Sequence, residues 1–198
     1  MIKNLYLALI HHPVKNKQGE EVTSAVTNLD IHDISRTSKC YGVSRFGIIT
    51  PIKPQQQMVA RVTRHWKRGH GAKYNPTRKD AVELVEVYPS LEEFLAQIEQ
   101  QHGEKPIVVG TSAKEHSNSR SYEEVTQLIS RGNRPIVLAF GTGWGLTLEG
   151  FQAIDFALLP VKSYCSDYNH LSVRAAAAII LDRLLGDREE TRGLNESS

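Results

Sequence analysis

Short apolar runs of strand length alternate with amphipathic segments along most of the 198-residue chain. The first run, Leu5–Ile10, is continuously apolar, as expected for a strand buried on both faces of a sheet. Further strands are predicted at 46–49, 84–87, 106–109, 135–140 and 156–161. Because segments whose apolar residues have helical spacing lie between most of these runs, the sequence predicts an α/β fold. Its six-stranded, mostly parallel sheet would have helices on both faces.

The predicted helices are bounded by capping residues and glycines. Asn28 can cap a helix over 28–41, and Gly42 can end it. Pro54 can begin the next helix. Ser90 and Ser121 each begin a Ser-x-x-Glu capping box, which predicts two more helix starts.

The segment from Val173 to Leu185 is predicted as a final, unusually apolar helix. Four alanines in a row, 175–178, are surrounded by Val, Ile and Leu, so the apolar surface is wider than one stripe. Such a surface predicts burial on more than one side, and one of those sides could be a subunit interface. The chain is expected to form one domain over 1–186, and the polar segment 187–198 a frayed tail.

Composition narrows the class of protein only slightly. Forty per cent hydrophobic residues support a folded core, and a net charge of +2 excludes neither acidic nor neutral partners. No apolar run approaches the ~20 residues that span a bilayer. Cys40 and Cys165 lack metal-ligand spacing, so two free thiols in a cytoplasmic protein, without a metal site, are expected.

Three predicted strands lead into loops that could bind a ligand: 110–111, 141–145 and 160–169. None has the Gly-Lys-Ser/Thr of a phosphate loop or the GxGxxG of a dinucleotide fingerprint. The alternating glycines Gly141, Gly143 and Gly145 would let the backbone approach an adenine or a ribose closely. The alternative is a tight turn that needs glycine for positive φ angles alone.

Polar side chains precede the final helix at Asp167, Asn169, His170 and Ser172. The free N–H groups of a helix N-terminus add hydrogen-bond donors there. Asn169 and Ser172 could instead serve only as N-caps.

A basic stretch from Arg61 to Lys79 contains no acidic residue, and aromatic rings are interleaved with its cations. Gly69 and Gly71 predict a flexible loop within it. Phosphate neutralisation and base stacking need such a surface, which makes RNA the expected partner. The predicted RNA-binding residues are Arg61, Arg64, Lys67, Arg68 and Lys73. A solvated basic surface, with Trp66 in the core, is the alternative.

Three segments resemble the sequence motifs of the SPOUT superfamily of RNA methyltransferases. They are 33–51 with Arg36, 135–146 with the glycines, and 159–179 with Asn169. More narrowly, the chain resembles a little-characterised bacterial group within that superfamily. The resemblance implies a C-terminal trefoil knot, S-adenosylmethionine as the methyl donor, and a homodimer in which the last helix packs across the interface.

The resemblance also assigns roles to residues. Those implied for the cofactor lie in three loops: Gly110, Thr111, Phe140, Gly141, Thr142, Gly143, Trp144, Gly145, Leu159, Pro160, Val161, Asn169, His170, Leu171 and Ser172. Arg36 is implied to activate or orient the methyl acceptor. The chain departs from the family motifs at Asp30, His32 and Gly143.

Asp167 and His170 are rival catalytic candidates, because carboxylate and imidazole can accept a proton. The predicted function is methyl transfer from S-adenosylmethionine to a tRNA or rRNA nucleotide. One alternative is a module that binds S-adenosylmethionine or RNA without catalysis. A flavodoxin-like enzyme acting on a small molecule is the other.

Overall fold

The computed structural model describes residues 4–187, apart from the side chains at positions 148 and 149. The strands are β1 Leu5–Ile10, β2 Val14–Lys15, β3 Glu21–Val22, β4 Arg45–Ile49, β5 Val85–Tyr88, β6 Ile107–Thr111, β7 Ile136–Gly141 and β8 Phe156–Ala157. The helices are α1 Asn28–Cys40, α2 Lys53–Arg68, α3 His70–Tyr74, α4 Pro76–Val82, α5 Leu91–His102, α6 Tyr122–Arg131, α7 Leu148–Gln152 and α8 Val173–Leu185. The predicted tail lies outside the described residues, except for Asp187.

The predicted six-stranded sheet is confirmed. Its strand order is β5-β4-β1-β7-β6-β8, and every pairing within it is parallel. In this order, the connection from β1 leads to β4 on one side of the sheet. The connection from β7 leads to β8 on the other side. The carboxyl ends of β1 and β7 therefore form a topological switch point, where open α/β sheets bind ligands. The small hairpin β2–β3 follows β1 and lies next to this point.

Helices cover both faces of the sheet, as predicted. One apolar cluster joins the sheet to α1, α2, α6 and α8, and a second joins the opposite face to α5. Close packing is visible at Gly47 of β4, where a Cβ atom would lie 2.9 Å from the Phe94 ring of α5. The two layers hold the sheet rigidly, so the loops at its carboxyl edge project from a fixed frame.

The helix starts agree with the capping patterns, with two corrections. The capping box at Ser121 is confirmed, and Ser90 accepts a hydrogen bond from the Glu93 N–H. Thr27, rather than Asn28, caps α1. Ser172, rather than Asn169, caps α8, because its hydroxyl accepts from the Ala175 N–H.

The prediction of a flexible loop after α2 was wrong. Two short helices occupy that segment, and Asn75 caps the second of them ahead of Pro76. Gly71 is needed for packing, since a Cβ atom there would lie 2.7 Å from the Trp66 ring. The last strand is also shorter than predicted, because residues after Ala157 leave the sheet.

Three other expectations concern the chain as a whole. Cys40 and Cys165 are free, exposed thiols, as predicted. Within residues 4–187 no helix is long and apolar enough to cross a membrane. The C-terminal trefoil knot stays a prediction.

Candidate active site

A cleft of about 940 Å³ opens at the carboxyl edge of the sheet, at the switch point. This volume lies in the range typical of small-molecule and cofactor sites. Its walls come from the loops after β1, β6, β7 and β8 and from the first turns of α8. The three loops that the sequence singled out therefore meet at one site.

Most of the predicted cofactor residues line this cleft: Thr111, Phe140, Gly141, Thr142, Gly143, Trp144, Gly145, Val161, Asn169, His170, Leu171 and Ser172. Gly110, Leu159 and Pro160 do not line it. Gly110 instead packs against Ile154, and a Cβ atom there would lie 2.6 Å from that side chain.

The glycine loop after β7 is held by the β2–β3 hairpin. The Trp144 N–H donates to the Lys15 carbonyl, and the Lys15 N–H donates to the Gly145 carbonyl. Gly143 and Gly145 have φ angles of +60° and +96°, so both need glycine for backbone reasons. The tight-turn explanation therefore accounts for these two glycines, although both line the cleft.

A hydrogen-bond chain crosses the switch point between β1 and β7. The Thr142 hydroxyl donates to the Ile10 carbonyl at 3.0 Å, so its oxygen is left to accept from the Ser24 hydroxyl at 2.5 Å. Ser24 then accepts from Nδ1 of His11 at 2.8 Å. This order assigns the His11 proton to Nδ1 and leaves Nε2 with a lone pair.

His11 lines the cleft and is 1 % exposed. Its Nε2 atom is buried and has no hydrogen-bond partner in the described part of the chain. Burial lowers the pKa of His11 to about 4, against a smaller opposing effect of the Asp30 charge. The imidazole is therefore neutral at physiological pH.

Asp30 of α1 and Arg174 of α8 form a partly buried ion pair beside His11. The Arg174 guanidinium contacts an Asp30 carboxylate oxygen at 2.8 Å, and the Thr27 hydroxyl donates to the other oxygen at 2.6 Å. Arg174 also lies 3.6 Å from Asp33. Asp30 and Arg174 both line the cleft, so this pair fixes α1 to α8 at the wall of the site.

The polar loop before α8 forms the rim of the cleft. The Asn169 amide donates to the Ala113 carbonyl at 2.7 Å and so ties this loop to the one after β6. The His170 ring lies 6.4 Å from the Trp144 ring and 5.5 Å from the Tyr168 ring. Trp144 is 60 % exposed and Tyr168 74 %, so the rim presents aromatic surface to solvent.

The three predicted catalytic residues are not brought together. His170 is exposed and lines the rim of the cleft. Arg36 is exposed on α1, and Asp167 is exposed in the loop before α8; neither lines the cleft. Their roles stay predictions.

The basic stretch forms a surface on α2 and α3. Arg61, Arg64, Arg68 and Lys73 are exposed. Lys67 differs from them, because its ammonium donates to the Val85 carbonyl at 3.0 Å and burial lowers its pKa.

Trp66 is half-buried within this stretch. Arg78 lies over its ring at 4.5 Å, and the His32 and His65 rings pack edge-on against it. Trp66 therefore packs against neighbouring side chains, which was the alternative to a role in stacking on RNA bases.

Sequence reasoning missed several residues that line the cleft: His11, Lys15, Ser24, His116 and Arg174. His11 follows a buried strand directly, which is the signal that drew attention to the other strand exits. The remaining residues carried no comparable signal, since their approach to the site depends on contacts distant in sequence.

The parallel sheet, the switch-point cleft and its three loops define the class of α/β proteins whose ligand sites lie at a topological switch point. The family model for SAM-dependent RNA methyltransferases matches residues 4–186. The chain belongs to this family. This assignment replaces the flavodoxin-like alternative.

Two relatives illustrate the similarity. A tRNA (guanine-N(1)-)-methyltransferase of Oleidesulfovibrio alaskensis is 43% identical over 185 residues, which are 93% of this chain and 43% of that protein. The chain thus spans less than half the length of that relative. An uncharacterised protein of Aquifex aeolicus is 36% identical over 92% of this chain and 88% of its own length.

Solved structures show the same fold. The SpoU methyltransferase AviRb of Streptomyces viridochromogenes, in complex with AdoMet, superposes with a TM-score of 0.56 at 15% identity. The match covers 97% of this chain and 62% of AviRb. The SPOUT-type fold predicted from the motifs is confirmed in its sheet and helices.

Proposed function

We propose that the cleft at the carboxyl edge of the sheet is where S-adenosylmethionine binds and the methyl group is transferred. The observation that carries this proposal is the convergence of the three strand exits, after β6, β7 and β8, on one cleft of cofactor size. A sulfonium cofactor supplies an activated methyl group, so the protein must chiefly align the donor with the acceptor.

The fit of the cleft to this cofactor rests on its lining. Backbone groups of Gly141 and Thr142 and the half-buried side chains of Thr111 and Val161 combine polar and apolar surface. Adenosine needs both kinds of contact. Gly110, Leu159 and Pro160 do not line the cleft, so their proposed role rests on the motifs alone.

The proposed RNA is a tRNA. The support is the name of the Oleidesulfovibrio relative, which is more than twice as long as the matched segment. The cationic side chains Arg61, Arg64, Arg68 and Lys73 on α2 and α3 would neutralise phosphates of the RNA. Lys67 is bonded to the backbone and contributes less.

Arg36, Asp167 and His170 are proposed to act on the acceptor. Of these, His170 is supported by its place on the cleft rim beside Trp144. The support for Arg36 is the motif alone.

A cytoplasmic homodimer that uses α8 completes the proposal. Ala178 and Ile179 of α8 are only partly buried in a single chain, which leaves apolar surface for a second copy. Cross-linking or light scattering at micromolar concentration tests the dimer.

A methyl-transfer assay tests the proposed site. Purified protein is mixed with labelled S-adenosylmethionine and with separate tRNA and rRNA fractions from cells that lack it. Ala113→Trp places a large side chain in the cleft, whereas Ser117→Trp changes an exposed residue of the same loop that does not line it.

We expect label in tRNA with the wild type and with Ser117→Trp, and none with Ala113→Trp. Isothermal calorimetry should show loss of S-adenosylmethionine binding in Ala113→Trp alone. Equal cofactor binding by the two variants would contradict the proposed site. Label in rRNA only would contradict the proposed substrate.

A further inference from the structure

We propose that His11 receives the proton that leaves the methyl acceptor, and that the end of the cleft formed by His11, Ser24, Asp30 and Arg174 holds that acceptor. The inference rests on the proposed function of the cleft. It assigns a residue outside the three motifs and outside the proposed cofactor loops.

The first support is the position of His11. It follows β1 directly and lines the cleft at the switch point, whereas the proposed cofactor loops follow β6, β7 and β8. The cleft wall between β1, α1 and α8 is contacted by Thr142 of the proposed cofactor loops, through Ser24. His11, Asp30 and Arg174 lie outside those loops. A methyl acceptor must lie beside the cofactor, so this part of the cleft is available to it.

The second support is the unsatisfied Nε2 atom. A buried polar atom without a partner costs about 1–3 kcal/mol, and native structures seldom retain one without a reason. The hydrogen-bond chain through Ser24 and Thr142 to the Ile10 carbonyl holds the proton on Nδ1. His11 lines the cleft, so the proposal requires that a group bound there donate an N–H or O–H to Nε2.

The third support is the charge around the ring. Asp30 lies near enough to favour the protonated form of His11 electrostatically. Its carboxylate is itself held by Arg174 and Thr27. An imidazolium formed during the reaction would therefore be stabilised in place, while the resting imidazole stays neutral.

Electrons, protons and charge balance in the proposed methyl transfer. The acceptor atom uses a lone pair to bond to the methyl carbon, and the electrons of the carbon–sulfur bond remain on sulfur. The acceptor then releases its proton to the Nε2 lone pair, and the positive charge of the sulfonium ends on the imidazolium. The methylated acceptor is cationic before it releases the proton, so even a weakly basic imidazole can take it. Water later removes the proton from His11.

His11→Asn is the decisive variant. An asparagine amide can occupy the place of Nδ1 and donate to Ser24, but nothing remains at the place of Nε2. His12→Asn is the matched control, because His12 is the next residue, contacts Thr23 through Nδ1 at 3.0 Å, and does not line the cleft. Single-turnover methyl transfer to tRNA and S-adenosylmethionine affinity are measured for both.

We expect His11→Asn to lower the single-turnover rate about 100-fold, within the range for general base catalysis. Its S-adenosylmethionine affinity should stay within about threefold of the wild type, and His12→Asn should change neither quantity. A rate within about threefold of the wild type would overturn the proposal. An equal loss of rate and cofactor affinity would also overturn it, because His11 would then contact the cofactor.

A second measurement does not depend on activity or on the folding of a variant. In wild-type protein labelled with ¹⁵N-histidine, NMR should show His11 protonated on Nδ1 only. Addition of tRNA with S-adenosylhomocysteine should shift the Nε2 resonance, as expected for a nitrogen that accepts a hydrogen bond. A proton on Nε2, or no shift with bound tRNA, would contradict the inference. Absence of methyl transfer by the wild type would instead contradict the proposed function.

Discussion

Protonation of the buried His11 ring makes the stability of the fold depend on pH. Folding lowers its pKa from an ordinary value of 6.5 to about 4 because the ring is buried. The unfolded chain therefore binds more protons than the native protein between these values. The contribution of His11 to the free energy of unfolding is fully present above about pH 6.5. It is lost as the pH falls toward 4, and the total loss is about 3 kcal/mol.

The prediction is that His11→Asn removes this part of the acid destabilisation. Urea unfolding of the wild type and of His11→Asn should be compared at pH 7 and pH 4. Relative to the wild type, the variant should gain about 3 kcal/mol as the pH falls. A constant difference between the two proteins would show that His11 titrates normally.

Gly143 is constrained in two ways, by its φ of +60° and by its approach to β2. A Cβ atom at this position would lie 2.9 Å from the Lys15 carbonyl oxygen. Gly132 has a similar φ of +63°, but a Cβ atom there would meet nothing within 4 Å. Comparison of the two glycines separates backbone strain from steric contact.

We predict that Gly132→Ala costs about 1 kcal/mol and that Gly143→Ala costs about 2–3 kcal/mol. The extra cost comes from displacement of the β2–β3 hairpin. Thermal unfolding of both variants measures the difference. Equal costs would mean that the hairpin yields freely to the added methyl group.

At the scale of elements, the sequence predicted strands better than the segments between them. β1 and β7 were predicted because continuous apolar runs identify strands buried on both faces. α3 and α4 were missed because Gly69 and Gly71 favoured a loop, although Asn75 and Pro76 carry a helix-start pattern. Gly71 is needed there for packing, because a Cβ atom at this position would lie 2.7 Å from the Trp66 ring.

α1 and α8 depend on each other through the Asp30–Arg174 pair. Its side chains are 6% and 31% exposed, so removal of the arginine leaves a buried carboxylate without its charge partner. The pair of Glu115 and Lys162 is more than half exposed on both sides and provides a contrast. Burial, rather than distance, should therefore decide which pair stabilises the fold.

We predict that Arg174→Ala lowers the free energy of unfolding by about 2–3 kcal/mol, somewhat less than for a fully buried pair. Lys162→Ala should lower it by less than about 1 kcal/mol. Chemical denaturation at pH 7 measures both. Similar values for the two variants would show that solvent screens the Asp30–Arg174 pair as fully as the exposed one.

At the scale of the whole molecule, the cleft could be predicted only in part. The loops after β6, β7 and β8 were identified because polar and glycine residues follow apolar runs. The other wall, with Ser24 and Arg174, is brought to the site by the hairpin and by the packing of α8 on α1. Those contacts join residues more than 100 positions apart, and no local pattern specifies them.

The basic surface and the cleft belong to different elements, so their contributions to RNA binding can be separated. Arg64 and Arg68 are exposed on α2, whereas Lys105 is exposed just before β6 and Arg131 is exposed at the end of α6. Double alanine substitution at either pair removes the same net charge. Only the α2 pair is proposed to contact phosphates.

We predict that the Arg64→Ala, Arg68→Ala double variant weakens tRNA binding and flattens its salt dependence. The slope of log K against log salt should fall by up to about 2, since each lost phosphate contact removes about 0.7–0.9. The Lys105→Ala, Arg131→Ala variant should leave the slope unchanged, and both variants should bind S-adenosylmethionine normally. Filter binding from about 50 to 200 mM salt measures the slopes over a range in which phosphate contacts dominate. Equal slopes for the two variants would mean that net charge, and not the α2 surface, attracts the RNA.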